Sequence, residues 1–553
     1  MTRPSWHVAS DAVRWRVVLA AVAVVTFAIR FVPLAASGML GAEYGYDDGV
    51  HLSLAEHLIA GQLPYRDVLF VHPPGIVLAL APAAALARLI GDPGALAAGR
   101  LLVTAVGMLN AVLVARILRR RGLVAAATGG LAYALWGPAI AAERSIYLEP
   151  FIGLGLLIAL AALARRRDGG SHPGAPVIAD VGPGRDRPDR RAAAALPGRT
   201  GRATLAVAGI ALGIAVTFKV WVVLDLAVVG LLVLARHGFR GAVRWIGWVL
   251  VGAVPILLPF AWAAPRAMWD DVVLAQVGRP RTAGLLHERL GALDPGNMSG
   301  TLAIVVVLVL VAIATVVVRR AAARVVRARG AGEAQSSIVV RLSSPSGWPD
   351  PAWWAIVAVV HLGALVAAPS YYLHYTAFLA PPICLLAGAV AGAVSVRVPR
   401  SRRAAVRVVG ASGLVVVLAA IALTFPALPP GPRENRALLA DLTRTGCTWS
   451  ENPSYLLVAD AQTRMIAEGC PGQPDLFGTV MTERGGYPVP GTVGPTETVV
   501  QMVERQLAAS RTVLLPAGAP ETWLDPALVR YVHDAFTRVA TTGNIAVWQR
   551  SAS

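Results

Sequence analysis

Two adjacent carboxylates, Asp47 and Asp48, open the stretch "YGYDDGVHLSLAEHLIAG" at residues 44–61. Val50, Leu54 and Leu58 recur every fourth residue behind them, with Ala55 and Ile59 alongside and His51, Glu56 and His57 elsewhere on the wheel. The spacing predicts an amphipathic helix suited to lying on a membrane. Asp48 stands where an N-cap belongs and Gly61 where a C′ glycine belongs. A cap accounts for one aspartate and not for two. Neighbouring helical residues point about 100° apart, so one carboxylate can cap while the other faces a cavity. Capping and acid–base chemistry are both open to the pair.

A second group is sharper. Lys219, in "GIAVTFKVWVVL", is the only lysine among 553 residues; every other basic charge is arginine. An ionisable group inside an apolar run is costly and points to function, and an ammonium is a compact point charge suited to a phosphate. The alternative is a lysine that snorkels between two short spans. "GPAIAAERSIYLEP" adds Glu143, Arg144 and Glu149, with Arg144 either an anion ligand or half of a surface ion pair. "SYYLHYTAFLAPP" adds Tyr372 and His374; its tyrosines fit an interfacial aromatic belt, and His374 can donate to a phosphate or a sugar hydroxyl. Arg30 near the end of the first apolar run and His72 before "PPG" complete the set. No spacing fits a metal site, a P-loop or a nucleophile elbow.

The elements that must hold these groups are membrane helices. Hydrophobic residues make up 56% of the chain, charged residues 15%, and the mean hydropathy is +0.60. About eleven apolar segments approach the ~20 residues that cross a bilayer. They are Val17–Leu34, Ala95–Leu118, Leu123–Trp136, Ile146–Leu163, Ala203–Thr217, Val220–Leu234, Trp245–Ala263, Met298–Val318, Trp353–Ala368, Tyr375–Val394 and Val408–Phe425. The net charge of +18 falls largely in every second loop, in "ARILRRRG", "ARRRDGG", "ARHGFRGAVR", "VVRRAAARVVRARG" and "SVRVPRSRRAAVR". That is an orientation signal, not a nucleic-acid surface. It places the N-terminus in the cytoplasm and the C-terminal part outside. The assignment needs Pro74–Ile90 to lie in the outer interface without crossing. Gly169–Gly201 and Gly330–Pro349 read as disordered cytoplasmic inserts.

Residues 426–553 read as a separate extracytoplasmic α/β domain after a membrane domain of residues 1–425, whose external loop spans 35–94. "SYLLVAD", "RTVLLPA" and "NIAVWQR" read as strands, "ETVVQMVERQLAAS" and "PALVRYVHDAFTRVA" as helices. Cys447 and Cys470 can pair there if that part lies outside the cytosol, and Cys384 is packed in an apolar segment.

In order, the chain carries an outer "DD", a "PPG" helix in the same loop, "ER…EP", a Lys after "GIAVTF", and "YYLHY". This order resembles the GT-C fold of polyprenyl-phosphate-sugar-dependent glycosyltransferases. The nearest branches are the protein O-mannosyltransferase-like and aminoarabinose transferase-like enzymes, and the likeness covers most of Val17–Val394. His72 stands where those families carry the Lys of a Lys-Pro-Pro segment, and Asp48 where Glu is common. The resemblance implies inverting transfer of a sugar from a lipid phosphate to an acceptor hydroxyl on a glycan, lipid or protein, at the outer face of the plasma membrane. It implies Asp47 as base with Asp48 as helper or cap. Lys219, Arg144, Arg30 and His374 would then face the phosphate, and Glu143, Glu149, His72 and Tyr372 the substrates. Phosphate leaves without a proton, so no cofactor is demanded; a divalent cation is left open. A transporter or flippase of a lipid-linked anion would also want Lys219 and Arg144. It would not need the external aspartates, and would show internal repeats that the sequence lacks.

Overall fold

In a computed structural model the described residues are 5–164, 199–279, 351–397, 431, 434–484, 498–518 and 524–551. The expected spans Met298–Val318 and Val408–Phe425 and the expected insert Gly330–Pro349 lie outside them, as does the insert Gly169–Gly201 up to residue 198; its last three residues begin the helix that follows. The first half is helical: α1 (Ser5–Ala36), α2 (Tyr46–Ile59), α3 (Gly75–Leu118), α4 (Leu123–Ala134), α5 (Gly137–Arg144), α6 (Glu149–Leu163), α7 (Arg199–Val216) and α8 (Val222–Ala263). Further along the chain come α9 (Pro351–Ala367), a 3-10 turn at Leu373–Leu379 and α10 (Ala380–Arg397). Among the described residues four helices are long and apolar enough to cross a membrane, or five if the bent pair α4–α5 is one span. The protein is therefore a multi-pass membrane protein.

Two of the long helices fold back on themselves at glycines in the left-handed region. In α8 the break is Gly238, with φ 65°. A Cβ at Gly230 would sit 3.1 Å from the Trp245 ring, so the two halves lie side by side, as the two expected spans require. In α3 the break is Gly91, with φ 75°. A Cβ at Gly99 would sit 3.3 Å from the Leu80 side chain, so residues 75–90 pack back along residues 95–118.

The C-terminal part begins with α11 (Arg436–Leu442). It carries a four-stranded sheet of β1 (Cys447–Ser450), β2 (Ser510–Pro516), β3 (Phe536–Thr542) and β4 (Ile545–Arg550), in the order β1-β2-β4-β3. β1 and β2 run parallel; β2 with β4 and β3 with β4 are antiparallel. Between β1 and β2 lie α12 (Pro453–Val458), α13 (Gln462–Ala467), α14 (Leu476–Arg484) and α15 (Val499–Ala509); α16 (Pro526–Ala535) precedes β3. Two expectations are corrected. "SYLLVAD" is not a strand: Asn452 accepts from the Ser454 N–H at 3.0 Å and Pro453 fills the first turn, which starts helix α12. "PALVRYVHDAFTRVA" is helical only as far as Ala535; from Phe536 it pairs with β4 across a turn at Gly543, whose φ is 57°. A disulfide joins Cys447 to Cys470, and Cys384 is free and buried.

The C-terminal part docks on α2 and on the bend of α3. Ser454 Oγ donates to Gly45 O at 2.6 Å, just ahead of α2. A Cβ on Gly49 would lie 2.2 Å from the Ser454 nitrogen, so the contact requires glycine there. At the bend, Asp92 N–H donates to Asp460 at 2.7 Å and Thr463 Oγ1 donates to Asp92 at 2.5 Å. Helix α2 is thus buried between α3 and α12 along most of its length. It does not lie on a membrane surface as its periodicity predicts, because its second face is covered by protein.

Candidate active site

The first turn of α2 separates the two aspartates. Gly45, in extended conformation, is the N-cap, so Asp47 and Asp48 are the second and third helical residues and neither caps with its side chain. Their charge still favours the positive end of the helix. The roughly 100° step between them sends each to a different environment.

Asp48 is fully buried and taken up on all sides. Arg100 of α3 pairs with it through Nη2 and through Nε at 2.9 Å. Ser145 Oγ donates to it, and so does the Ile146 N–H at 2.5 Å. Arg100 spends its remaining donors on the carbonyls of Met39, Leu40 and Ala42, at 2.6–2.9 Å. Asp48 therefore locks α2 to α3 and to the chain after α5. Asp48→Ala is expected to cost about 3–5 kcal/mol, because it strands a buried guanidinium. Replacing both partners together, as Asp48→Leu with Arg100→Met, should restore much of the loss. Thermal unfolding in detergent measures both.

Asp47 faces a cavity of about 290 Å³. His72, Glu149, Lys219, Tyr372 and His374 line the same cavity, which brings six of the residues expected from sequence to one place. Lys219 is held in the turn between α7 and α8. Its Nζ donates to Glu149 Oε1 at 2.5 Å and stands over the rings of Tyr375 (3.9 Å) and Trp221 (4.8 Å). It is 4% exposed, so it does not snorkel. His374 stacks on Tyr147, with ring centroids 4.1 Å apart, and the Tyr372 ring lies nearly parallel to it at 5.8 Å. The "PPG" turn brings His72 opposite Lys219. The Gly75 N–H donates to the Thr217 carbonyl at 2.7 Å, and a Cβ on Gly75 would lie 2.6 Å from that oxygen, an approach only glycine permits. Burial first, then the charge of Lys219, holds the His72 ring well below the ordinary histidine range. It is therefore a neutral donor or acceptor at pH 7.

Arg30, Glu143 and Arg144 lie elsewhere. Arg30 and Glu143 form a fully buried pair, completed by the Tyr133 hydroxyl donating to Glu143 at 2.7 Å. Arg144 donates to the Ile29 carbonyl at 2.7 Å. None of the three lines the cavity. Among the lining residues not expected from sequence, two are charged: Arg279, beyond the short helical turns that follow α8, and Asp475, from the C-terminal part. Arg279 carries a signal that sequence reasoning passed over, a basic residue in a loop on the side that orientation leaves uncharged. Asp475 carries none, because only tertiary docking brings it here.

A second cavity of about 310 Å³ adjoins the first. The two share His72, Lys219, Arg279 and Tyr375. The rest of its wall includes Val220, Trp221, Val277, Ala368 and Pro369, with no carboxylate among its lining residues. Cations thus stand at the boundary between an acid-lined hollow and an apolar one. Among the described residues no group of three or more His, Cys, Asp or Glu side chains is placed to hold a metal ion.

No protein-family model and no curated protein sequence matches the chain. Solved structures do. The chain is similar to ArnT from Cupriavidus metallidurans bound to undecaprenyl phosphate, with a TM-score of 0.53 and 15% identity over 98% of each chain. It is also similar to the apo form of the Archaeoglobus fulgidus oligosaccharyltransferase, with a TM-score of 0.50 and 13% identity, covering 91% of this chain and 69% of that one. The fold is the GT-C membrane fold of these transferases, as the order of motifs in the sequence led one to expect.

Proposed function

We propose that the protein is a membrane glycosyltransferase that moves a sugar from a polyprenyl-phosphate donor to an acceptor hydroxyl, with inversion. The observation that carries this reading is the shared wall. Lys219 and Arg279 border both the acid-lined cavity that holds Asp47 and the apolar cavity beside it. A lipid phosphate at that wall places its tail among apolar side chains and its sugar toward Asp47. The neighbour solved with undecaprenyl phosphate supports that donor class.

The chemistry follows from the charges. Asp47 takes the proton of the acceptor hydroxyl, the new bond forms at the anomeric carbon, and the bond to the phosphate oxygen breaks with its electron pair. The departing phosphate needs counter-charge and no proton, which Lys219 and Arg279 supply where negative charge develops. Glu149 holds the Lys219 ammonium in place, while His72, His374 and Tyr372 offer neutral contacts to sugar or phosphate. One carboxylate suffices, because no alcohol leaving group has to be protonated.

On this reading the chain has about eleven spans, a cytoplasmic N-terminus and an extracytoplasmic C-terminal domain at 426–553, in the plasma membrane. The Cys447–Cys470 disulfide supports an oxidising compartment for that domain. The acceptor is a glycan, lipid or protein hydroxyl. The test is incubation of the purified protein with a panel of polyprenyl-phosphate sugars and candidate acceptors. Release of free lipid phosphate with one sugar is expected. If no donor is consumed while intact lipid-linked sugar crosses reconstituted vesicles, the protein is a transporter.

A further inference from the structure

Asp47 and Glu149 share the reaction cavity with a third carboxylate, which comes from some 430 residues beyond the start of α2. Asp475 precedes α14 and is 5% exposed. The Gly478 N–H donates to its Oδ1 at 2.8 Å, and the Tyr46 hydroxyl lies 3.4 Å from the same oxygen. The Phe477 N–H donates to the Tyr46 oxygen at 2.9 Å, and the two rings meet edge to face at 6.4 Å. Tyr46, Asp475 and Phe477 thus form one corner beside Asp47, held together across the junction between α2 and the C-terminal part.

We propose that this corner is the acceptor subsite and that it takes a saccharide. Asp475 accepts from hydroxyls next to the one being glycosylated, and the rings of Tyr46 and Phe477 face the sugar's C–H surface. The inference rests on the glycosyltransferase reading and deepens it. A buried carboxylate accepts hydrogen bonds and offers none when ionised, so its partner must bring several donors. A pyranose or furanose does, with adjacent hydroxyls on a ring whose faces are apolar. A serine or threonine side chain brings one hydroxyl. A lipid acceptor needs an apolar wall, and that wall belongs to the other cavity.

Asp475 is pushed up to about 6, first by burial and further by the Asp47 charge, against the Gly478 N–H that lowers it. The other charged or titratable groups facing it are His51 and Tyr46 on α2, Asp271 and Arg279 in the segment that follows α8, and Tyr372. Its ionised form, which binds hydroxyls, fills in as the pH rises through about 6, so acceptor binding strengthens over that interval.

The experiment uses the full chain with its accepted polyprenyl-phosphate sugar, and short mannose and arabinose oligosaccharides as probes. Asp475→Asn is expected to raise the KM for the oligosaccharide on the order of tenfold to a hundredfold, the loss of a charged hydrogen bond. It should lose more of transfer to saccharide than of donor hydrolysis by water, and flatten the change in acceptor KM near pH 6. Asp475→Glu should recover part of the binding, and Phe477→Ala should weaken it without moving the pH dependence. An unchanged acceptor KM, an equal loss of hydrolysis and transfer, or transfer to a serine peptide or a lipid hydroxyl that ignores Asp475 overturns the proposal. Oligosaccharide binding measured by calorimetry without donor decides the matter separately. If wild-type protein consumes no donor, the transferase reading fails, and binding that is equal in wild type and Asp475→Asn sinks the subsite on its own.

Discussion

Asp47→Asn is expected to abolish sugar transfer while leaving the protein folded and inserted. The substitution keeps size and shape and removes the capacity to take a proton. General-base removal costs on the order of 10²- to 10⁴-fold in turnover. The fold should tolerate it, because the interactions that anchor this turn of α2 run through its neighbour: Arg100, Ser145 and the Ile146 N–H all meet Asp48. The measurement is turnover under saturating donor, beside a thermal melt and a detergent size-exclusion profile. Full activity in Asp47→Asn removes the base assignment. A collapsed melt would show that Asp47 also holds the fold. The contrast with Asp48→Ala sharpens the test, since that variant should lose stability first.

Lys219→Met is the second large effect. Methionine keeps the length and the apolar stem but takes away the ammonium over Tyr375 and Trp221. It also leaves Glu149 buried without its cation, so the variant carries two faults. A loss of about 10²- to 10³-fold in turnover follows from removing one pre-placed charge at a departing anion. The double variant Lys219→Met with Glu149→Gln separates the faults. It should regain stability without regaining turnover. Recovery of turnover in the double variant would show that the ammonium serves only to neutralise Glu149.

Much of this site could be read from residue types alone, because its chemistry is unusual for its surroundings. A single lysine in an arginine-rich chain, paired acids at the head of a helix and a histidine among tyrosines each stand out, and Lys219, Asp47 and His374 share one cavity. What could not be read was partnership. Arg30 and Arg144 are as basic as Lys219, but Arg30 pairs with a fully buried carboxylate and Arg144 donates to a backbone carbonyl away from the cavity. No spacing rule reports that, since the partners lie about a hundred residues away. The same holds for α2. Its apolar spacing marks one buried face, and a second was added by docking of α12, for which Gly49 is the only local trace. In the C-terminal part, "SYLLVAD" has the composition of a strand, and Asn452 with Pro453 overrules it.

Because four hydrogen bonds from three partners grip Asp48, the opening turn of α2 has no freedom to roll. Where a helix can rotate by one step, adjacent acids can trade jobs; here a roll of that size would pull a guanidinium pair out of register. On the proposed reading, Asp47 therefore cannot advance on its substrate, and the substrate must come to a fixed perch. Any retuning of reach across lineages has to occur on the facing side of the hollow, in the residues that stand opposite and not in the acid itself.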